Sequence, residues 1–328
     1  MKDKILRVLR DNKGEFVSGQ QISDVLNVSR TAVWKYINVL KEDGYDIESI
    51  SRKGHRLVAS PDTLTYIEVS EHLATKYIGR EIIHFDCIDS TNIKAKELAS
   101  KGCDDGTVVI SEQQTSGRGR LGRSWVSPKG KGIWMSVVLR PEINPTDATK
   151  ITQIGAAAVW EAMNSLGIIA YIKWPNDIVI NGKKVCGILT EMSGELNRLN
   201  YLVIGIGINV NIDGDSFSEE VNKVATSIKQ EIGREVPRRE LVAMILNKFE
   251  ELYEELVNHG TIKKSIKICR ENSILIGKKI KIISKEQEVE RKAIGINDEG
   301  QLLIEDDMGN VSPLISGEVS VRGVYGYV

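Results

Sequence analysis

Three arginines and three glycines share the seven residues from Gly117 to Arg123. Glycine lets a backbone approach a ligand closely, and arginine presents a planar fork of donors that matches carboxylates and phosphates. From Gln113 to Pro141 the chain carries basic residues and no Asp or Glu. We interpret this segment as a loop that becomes ordered around an anion, although a solvated basic loop or a nucleic-acid contact explains the spacing equally well.

The glycine pattern differs from two common phosphate-binding motifs. A Rossmann fingerprint opens a helix after a strand, and a P-loop ends in Gly-Lys-Ser/Thr. Here the glycines continue through Gly130 and Gly132 into an apolar strand pattern, Ile133 to Leu139. The predicted anion site is therefore of another kind.

Four segments in order along the chain resemble biotin protein ligases. Residues 114–125 are similar to the ligand loop of that family, and the other matching segments are 89–92, 173–177 with 184–189, and 205–211. Together with its N-terminal segment, the whole chain resembles the two-function members, which are both a ligase and a repressor of the biotin operon.

The resemblance implies a reaction in two steps that uses ATP, biotin and Mg²⁺. Biotin's carboxylate attacks the α-phosphate of ATP to give biotinyl-5'-AMP, and a lysine of a biotin carboxyl carrier domain then attacks the adenylate. Both steps build negative charge, so fixed cations and N–H donors would catalyse them. The enzyme expected is a biotin–[acetyl-CoA-carboxylase] ligase whose adenylate also controls repression of biotin genes.

Carried over position by position, the resemblance assigns residues to each ligand. Catalysis is assigned to Arg118, Arg120 and Lys184. Biotin binding is assigned to Ser90, Thr91, Asn92, Gln114, Arg118, Gly119, Arg120 and Lys184. ATP binding is assigned to Arg123, Trp125, Lys173, Asn176, Asn209 and Arg322. No protein ligand for the metal is assigned, because Mg²⁺ would be held mostly by phosphates and water.

Some of these residues also have a purely structural interpretation. Lys184 could be a solvent-exposed hairpin lysine like Lys183, but the Val-Cys-Gly that follows it favours a ligand role. Asp177 is interpreted as a hydrogen-bonded turn residue rather than a magnesium ligand. Trp125 and Trp134 are either walls of the pocket or core aromatics.

The first 62 residues predict a winged helix-turn-helix that binds DNA. Three helical patterns precede a hairpin, and Ser29 is a suitable N-cap for the third helix. The residues expected to contact DNA are Arg30, Thr31, Trp34, Lys35, Asn38, Arg52, Lys53 and Arg56. A three-helix module for protein contacts is the alternative, and an exposed tryptophan beside basic residues favours DNA.

The fold class expected is α+β with several domains. A winged helix-turn-helix (1–62) precedes a class II synthetase-like ligase domain with a mixed sheet (63–272) and a small SH3-like β-barrel (273–328). Strands are predicted at 82–86, 107–112, 133–139, 170–173, 177–180, 184–193 and 199–211, and helices at 70–77, 92–101, 149–166 and 238–258.

Composition limits location and partners. The net charge is −1, so nucleic-acid binding needs a local basic patch. Four scattered cysteines without a Cys-x-x-Cys pair favour the reducing cytoplasm, and we see no targeting or membrane-spanning segment. Because winged-helix proteins commonly read paired half-sites, we expect a homodimer when the adenylate is bound.

Two other functions compete with this interpretation. A lipoate-type ligase shares the fold and the chemistry, but the Ser90–Asn92 set and the arginine loop favour biotin. A transcription factor that only senses a small molecule would share the N-terminal domain, but the intact Lys184 and Arg120 favour retained catalysis.

Overall fold

The computed structural model describes residues 1–12, 14–195, 198–284, 287–315, 320–324 and 326–328. Contacts between Cα atoms divide the chain into two compact units, Met1–Thr63 and Leu64–Val328. Within the described residues, no helix is long and apolar enough to cross a membrane.

The first unit contains three helices and a two-stranded antiparallel sheet, as the sequence predicts. Its elements are α1 (Lys2–Asp11), α2 (Gly19–Leu26), α3 (Arg30–Glu42), β1 (Asp46–Ile50) and β2 (Gly54–Ala59). The side chain of Ser29 accepts a hydrogen bond from Ala32 N at the start of α3, which confirms the predicted N-cap. Val33, Ile37 and Leu40 form the buried face of α3.

The β1–β2 hairpin is held against the segment that precedes α2. Val17 and His55 exchange backbone hydrogen bonds of 2.9 Å. Gly54, which opens β2, has a φ of +116°, and a Cβ there would collide with the backbone of Val17. Only glycine suits this position, because it tolerates both the conformation and the close approach.

A seven-stranded mixed sheet forms the centre of the second unit. Its strands are β3 (Ile82–Phe85), β4 (Val108–Ser111), β5 (Gly132–Leu139), β6 (Tyr171–Lys173), β7 (Asp177–Ile180), β8 (Lys183–Glu195) and β9 (Arg198–Asn209). They lie in the order β3-β4-β5-β9-β8-β7-β6, with β3 and β4 parallel and the other pairs antiparallel. The predicted strands and the mixed sheet are therefore confirmed.

Helices cover both faces of this sheet. They are α4 (Tyr66–Ser70), α5 (Thr91–Ser100), α6 (Ala148–Ser165), α7 (Glu219–Asn222), α8 (Ile228–Ile232), α9 (Arg238–His259) and α10 (Lys263–Glu271). Side chains alternate between faces along each strand. Ile133 and Met135 therefore join the large core with α6 and α9, whereas Val138 packs with Ala95 and Ala99 of α5 on the other face.

The predicted helix at 70–77 is wrong. The helix α4 lies earlier in the chain and ends at Ser70. The backbone N–H groups of residues 74 and 76–78 donate instead to the side chains of Asn247 and Glu250 on α9, at 2.6–3.0 Å. Side-chain acceptors on α9, which is distant in sequence, thus replace the backbone carbonyls of a helix. The local sequence around residues 70–77 cannot indicate such acceptors.

The final part of the chain forms a five-stranded antiparallel sheet, in agreement with the small β domain expected. Its strands are β10 (Lys279–Ile283), β11 (Glu288–Ile296), β12 (Leu302–Glu305), β13 (Val311–Leu314) and β14 (Ser320–Gly323), in the order β13-β12-β11-β10-β14. The sheet belongs to the same compact unit as the ligase sheet.

Candidate active site and DNA-binding surface

One cavity of about 690 Å³ gathers the residues that the sequence assigns to biotin and ATP. Its walls come from the start of α5, the loop between β4 and β5, the strands β6–β9 and the end of β14. The assigned residues that line it are Ser90, Thr91, Asn92, Gln114, Arg118, Gly119, Arg120, Arg123, Trp125, Lys173, Asn176, Lys184, Asn209 and Arg322. Residues more than 230 positions apart in sequence therefore share one site.

A buried polar network occupies the end of the cavity beside α5. Ser136 Oγ lies 2.8 Å from Thr91 Oγ1 and donates to Asn92 Oδ1 at 2.6 Å. Gln114 Oε1 accepts from Thr91 N at 2.9 Å. The sequence did not predict a role for Ser136 of β5, because a single serine within an apolar strand belongs to no recognisable motif. The network fixes the side-chain rotamers, which is what preorganised recognition of a polar ligand needs.

Two glycines of β9 make room for side chains that line the cavity. A Cβ on Gly205 would collide with Asn92 Oδ1, and one on Gly207 would lie 2.8 Å from Trp125 Nε1. Asn92 also donates from Nδ2 to Glu191 Oε2 at 2.9 Å, a partner on β8 that sequence reasoning missed. Because these two positions have no Cβ, the side chains of Asn92 and Trp125 can lie directly against β9.

The basic loop folds back on itself at the mouth of the cavity. Gly119 N donates to Arg123 O at 2.7 Å, and Trp125 N donates to Gly117 O at 2.8 Å. Arg120 turns inward, and its Nη1 donates to Asn176 Oδ1 at 3.3 Å. Burial is the largest influence on the Arg120 guanidinium and lowers its pKa.

Lys184 and Asp177 form an ion pair inside the cavity. Lys184 Nζ lies 2.6 Å from Asp177 Oδ1 and 5.1 Å from the centroid of the Trp125 ring. The other carboxylate oxygen of Asp177 accepts from the hydroxyl of Tyr327. Lys184 is therefore not a solvent-exposed hairpin lysine, and Asp177 is the first residue of β7 rather than a turn residue.

Lys173 is almost completely buried in the same wall, with 3% of its surface exposed. Its Nζ lies 3.4 Å from the centroid of the Tyr327 ring. Burial lowers the pKa of Lys173 to about 7, against the opposing effect of Asp177 and with further lowering by Lys184 and two arginines. The sequence did not predict a role for Tyr327, because no local pattern connects it with Asp177, 150 positions earlier.

Two buried polar atoms of the lining have neither a hydrogen bond nor an ion pair within the described protein. They are Trp125 Nε1 and Asn209 Oδ1. A buried polar group without a hydrogen bond is costly, so a donor and an acceptor of this kind point to a ligand that completes them. Trp134 is 1% exposed and also lines the cavity, so it is both a core aromatic and part of the pocket wall.

The first unit exposes the residues predicted to contact DNA. On α3, Arg30, Thr31, Trp34 and Lys35 are exposed and Asn38 is partly exposed. On the hairpin, Arg52 and Lys53 are exposed at the tip. Arg56 is only partly exposed: it donates from Nε to Glu48 Oε2 at 3.1 Å and lies over the Phe16 ring, so its guanidinium already has partners within the first unit.

The fold and the cavity together define a class of protein. The profile of the Biotin/lipoate A/B protein ligase family matches residues 84–209, that of an HTH domain matches 2–56, and that of the Biotin protein ligase C terminal domain matches 275–322. The class is a protein ligase of the biotin/lipoate type with an N-terminal helix-turn-helix domain.

Similar proteins narrow the class to one family. The Bifunctional ligase/repressor BirA of Bacillus subtilis (strain 168) is 40% identical over 323 residues, 98% of each chain. The protein of the same name from Escherichia coli (strain K12) is 31% identical over 94% of each chain. The structure of the biotin protein ligase from Aquifex aeolicus in complex with biotin and ATP has 28% identity and a TM-score of 0.65, over 74% of this chain and 99% of that one. The chain belongs to the family of bifunctional biotin ligase/repressors, and the resemblance drawn from its motifs is confirmed.

Proposed function

We propose that this chain activates biotin with ATP and transfers it to a lysine of a biotin carboxyl carrier domain, as a biotin–[acetyl-CoA-carboxylase] ligase. The observation that carries the proposal is the single cavity in which a buried polar network and a cluster of cations meet. The network suits an uncharged polar head group, and the cations suit a carboxylate and phosphates.

In the first step a carboxylate oxygen of biotin attacks the α-phosphorus of ATP, and pyrophosphate leaves. We assign Lys184 and Arg120 to the carboxylate and the α-phosphate, where they would stabilise the charge that develops. Asp177 fixes the ammonium of Lys184 through the ion pair. Lys173, Arg123 and Arg322 supply positive charge for the remaining phosphates.

Mg²⁺ would accompany ATP and neutralise its phosphates. Of the described residues that line the cavity, Asp177 is the one acidic side chain, and it already contacts Lys184 and Tyr327. This set does not build a protein cage, so phosphate oxygens and water would provide most of the ligands.

In the second step the lysine amine of the acceptor attacks the carbonyl carbon of the mixed anhydride, an amide forms and AMP leaves. The adenylate must be shielded from water until then. The loop 114–132, with Arg118 and Gly119 over the biotin side of the cavity, is the element we assign to this task.

Biotin rather than lipoate fits the closed end of the cavity. Ser90, Thr91 and Asn92 are each at most 5% exposed and present hydroxyl and amide groups. A ureido ring can form hydrogen bonds with this polar end of the cavity, whereas the apolar dithiolane of lipoate offers no donor or acceptor in exchange for the water it displaces.

The second activity we propose is adenylate-dependent repression of biotin genes. The exposed face of α3 and the hairpin tip would read operator DNA, and two copies on a homodimer would engage paired half-sites. We retain the functional division into DNA-binding (1–62), catalytic (63–272) and C-terminal (273–328) domains. A cytoplasmic location is supported by four free cysteines.

Mass spectrometry of an acceptor domain tests the ligase directly. Incubation with the protein, biotin, Mg²⁺ and ATP should add one biotinyl group to one lysine, and lipoate should not substitute. Absence of labelling, or equal labelling by lipoate, would reject the proposal.

A further inference from the structure

Tyr327, in the segment after β14, touches two residues of the catalytic wall at once. Its hydroxyl donates to Asp177 Oδ2, while its ring lies against Lys173 Nζ. Burial, followed by the charge of Asp177, raises the pKa of the Tyr327 hydroxyl, so the hydroxyl remains a donor. The tyrosine therefore contacts a carboxylate through its polar end and an ammonium through its face.

Backbone packing holds this segment in place. A Cβ on Gly323, the last residue of β14, would collide with the carbonyl group of Val328. A Cβ on Gly182, in the turn between β7 and β8, would lie 3.2 Å from Val328 Cγ2. The residue after Tyr327 thus packs on both the small sheet and the ligase sheet, which fixes where the ring points.

Lys173 and Asp177 would be natural partners without Tyr327. They face each other in the antiparallel pairing of β6 with β7. In the structure, however, one oxygen of Asp177 contacts Lys184 and the other contacts Tyr327. Among the described residues, no carboxylate oxygen lies within 4.0 Å of Lys173 Nζ. The aromatic face attracts this ammonium without neutralising it.

We propose that Tyr327 is a positioning residue that separates these charges: it occupies Asp177 and so leaves Lys173 available to the phosphates of ATP. The inference rests on the proposed function and adds a detail of how ATP would be bound. Tyr327 lines the cavity without filling it. With its ring in place the cavity still has a volume of about 690 Å³, which lies within the usual range for ligand sites.

Tyr327→Phe tests the role of the hydroxyl, because it keeps the ring. The freed oxygen of Asp177 should turn to Lys173, and the KM for ATP should rise on the order of tenfold while the KM for biotin changes less than about twofold. Tyr77→Phe is the matched control, since it removes a hydroxyl-to-carboxylate bond of 2.8 Å to Glu254 outside the cavity. An unchanged KM for ATP, or equal effects on both substrates, would overturn the proposal.

A second measurement needs no catalysis. In ligand-free protein labelled with 13C-lysine, the Lys173 resonance is identified by its loss in Lys173→Arg, and its titration midpoint should move to higher pH in Tyr327→Phe because an ion pair forms. An unmoved midpoint would contradict the charge separation. Wild-type protein that failed to transfer biotin would instead reject the proposed function, so the two failures are distinguishable.

Discussion

At the scale of residues, two lysines of one cavity differ in what surrounds them. Lys184 has a carboxylate at 2.6 Å, whereas Lys173 faces an aromatic ring. The ion pair with Asp177 orients Lys184. Burial without a close carboxylate leaves Lys173 with a pKa of about 7, so the arrival of phosphates changes its protonation.

ATP binding should therefore take up a proton above neutral pH. At pH 8 most Lys173 side chains are neutral in the free protein, and the bound phosphates favour the ammonium and raise its pKa. Titration calorimetry in buffers of different ionisation enthalpy would measure uptake of up to about one proton, which should fade below pH 6. Lys173→Arg is the control, because a guanidinium stays charged throughout. Uptake that persists in this variant would contradict the assignment.

Arg120→Gly should release the adenylate. Arg120 turns into the cavity and contacts Asn176, and we assign it to the phosphate and mixed anhydride. Its loss should weaken adenylate binding by roughly 2–4 kcal/mol, in line with removal of one transition-state donor. Released adenylate would then label many lysines, which peptide mass spectrometry detects. Arg234→Gly, at an exposed position between α8 and α9, serves as the control. Labelling of a single acceptor lysine with an unchanged adenylate half-life would refute the role of Arg120.

At the scale of elements, the basic loop has a pinned base and an exposed tip. Thr115 N donates to Ile88 O at 2.9 Å and Gly130 N donates to Glu112 O at 3.0 Å, so both ends of the loop are tied to the segments that follow β3 and β4. Residues 121–123 at the tip are exposed, whereas Arg120 turns into the cavity, and the like charges of Arg120 and Arg123 repel each other. We therefore expect its conformation to depend on an anion that offsets this repulsion.

Biotin with ATP should protect this tip from trypsin. Cleavage after Arg120 and Arg123 should slow at least about tenfold when the adenylate forms, because ordering lowers the population of the open loop. Cleavage after Lys53, at the exposed tip of the hairpin in the first unit, provides an internal reference in the same digest. Equal rates in the loop with and without ligand would show that ligand binding does not order it.

At the scale of the whole molecule, the question is how the two activities are coupled. A single helix-turn-helix domain in a chain of net charge −1 binds an operator weakly, whereas two on one dimer gain affinity through effective concentration. If the loop 114–132 orders over the adenylate and also forms part of a dimer surface, we expect it to act as the switch. Linkage then requires operator DNA to tighten adenylate binding by the same factor.

Biotin plus ATP should therefore promote dimerisation and tighten operator binding. Sedimentation and gel-shift titrations with and without both ligands measure the two effects, and the acceptor domain should compete with dimerisation if it uses the same surface. Deletion of residues 1–62 should abolish DNA binding and leave acceptor labelling largely intact, because Leu64–Val328 forms its own compact unit. If operator affinity does not change with biotin and ATP, the proposed coupling is wrong and only the ligase activity remains supported.

Local sequence determined the order of elements and the family of the protein. Periodic apolar residues predicted the strands, and caps such as Ser29 predicted helix starts, because these signals act between near neighbours in the chain. The motifs around Arg118, Lys173 and Gly205 identified the ligase through their resemblance to biotin protein ligases, whereas the residue types by themselves indicated only a site for an anion. The order of helices and strands followed from the patterns, and the chemistry followed from the resemblance.

Tertiary structure alone decided which partners the functional groups meet. The helix expected at 70–77 is absent because Glu250 and Asn247 capture its N–H groups from another helix. Tyr327 reaches Asp177 although 150 residues separate them, and Lys173 consequently lacks the carboxylate that its strand pairing would supply. Contacts between residues distant in the chain depend on packing, and no local pattern encodes them.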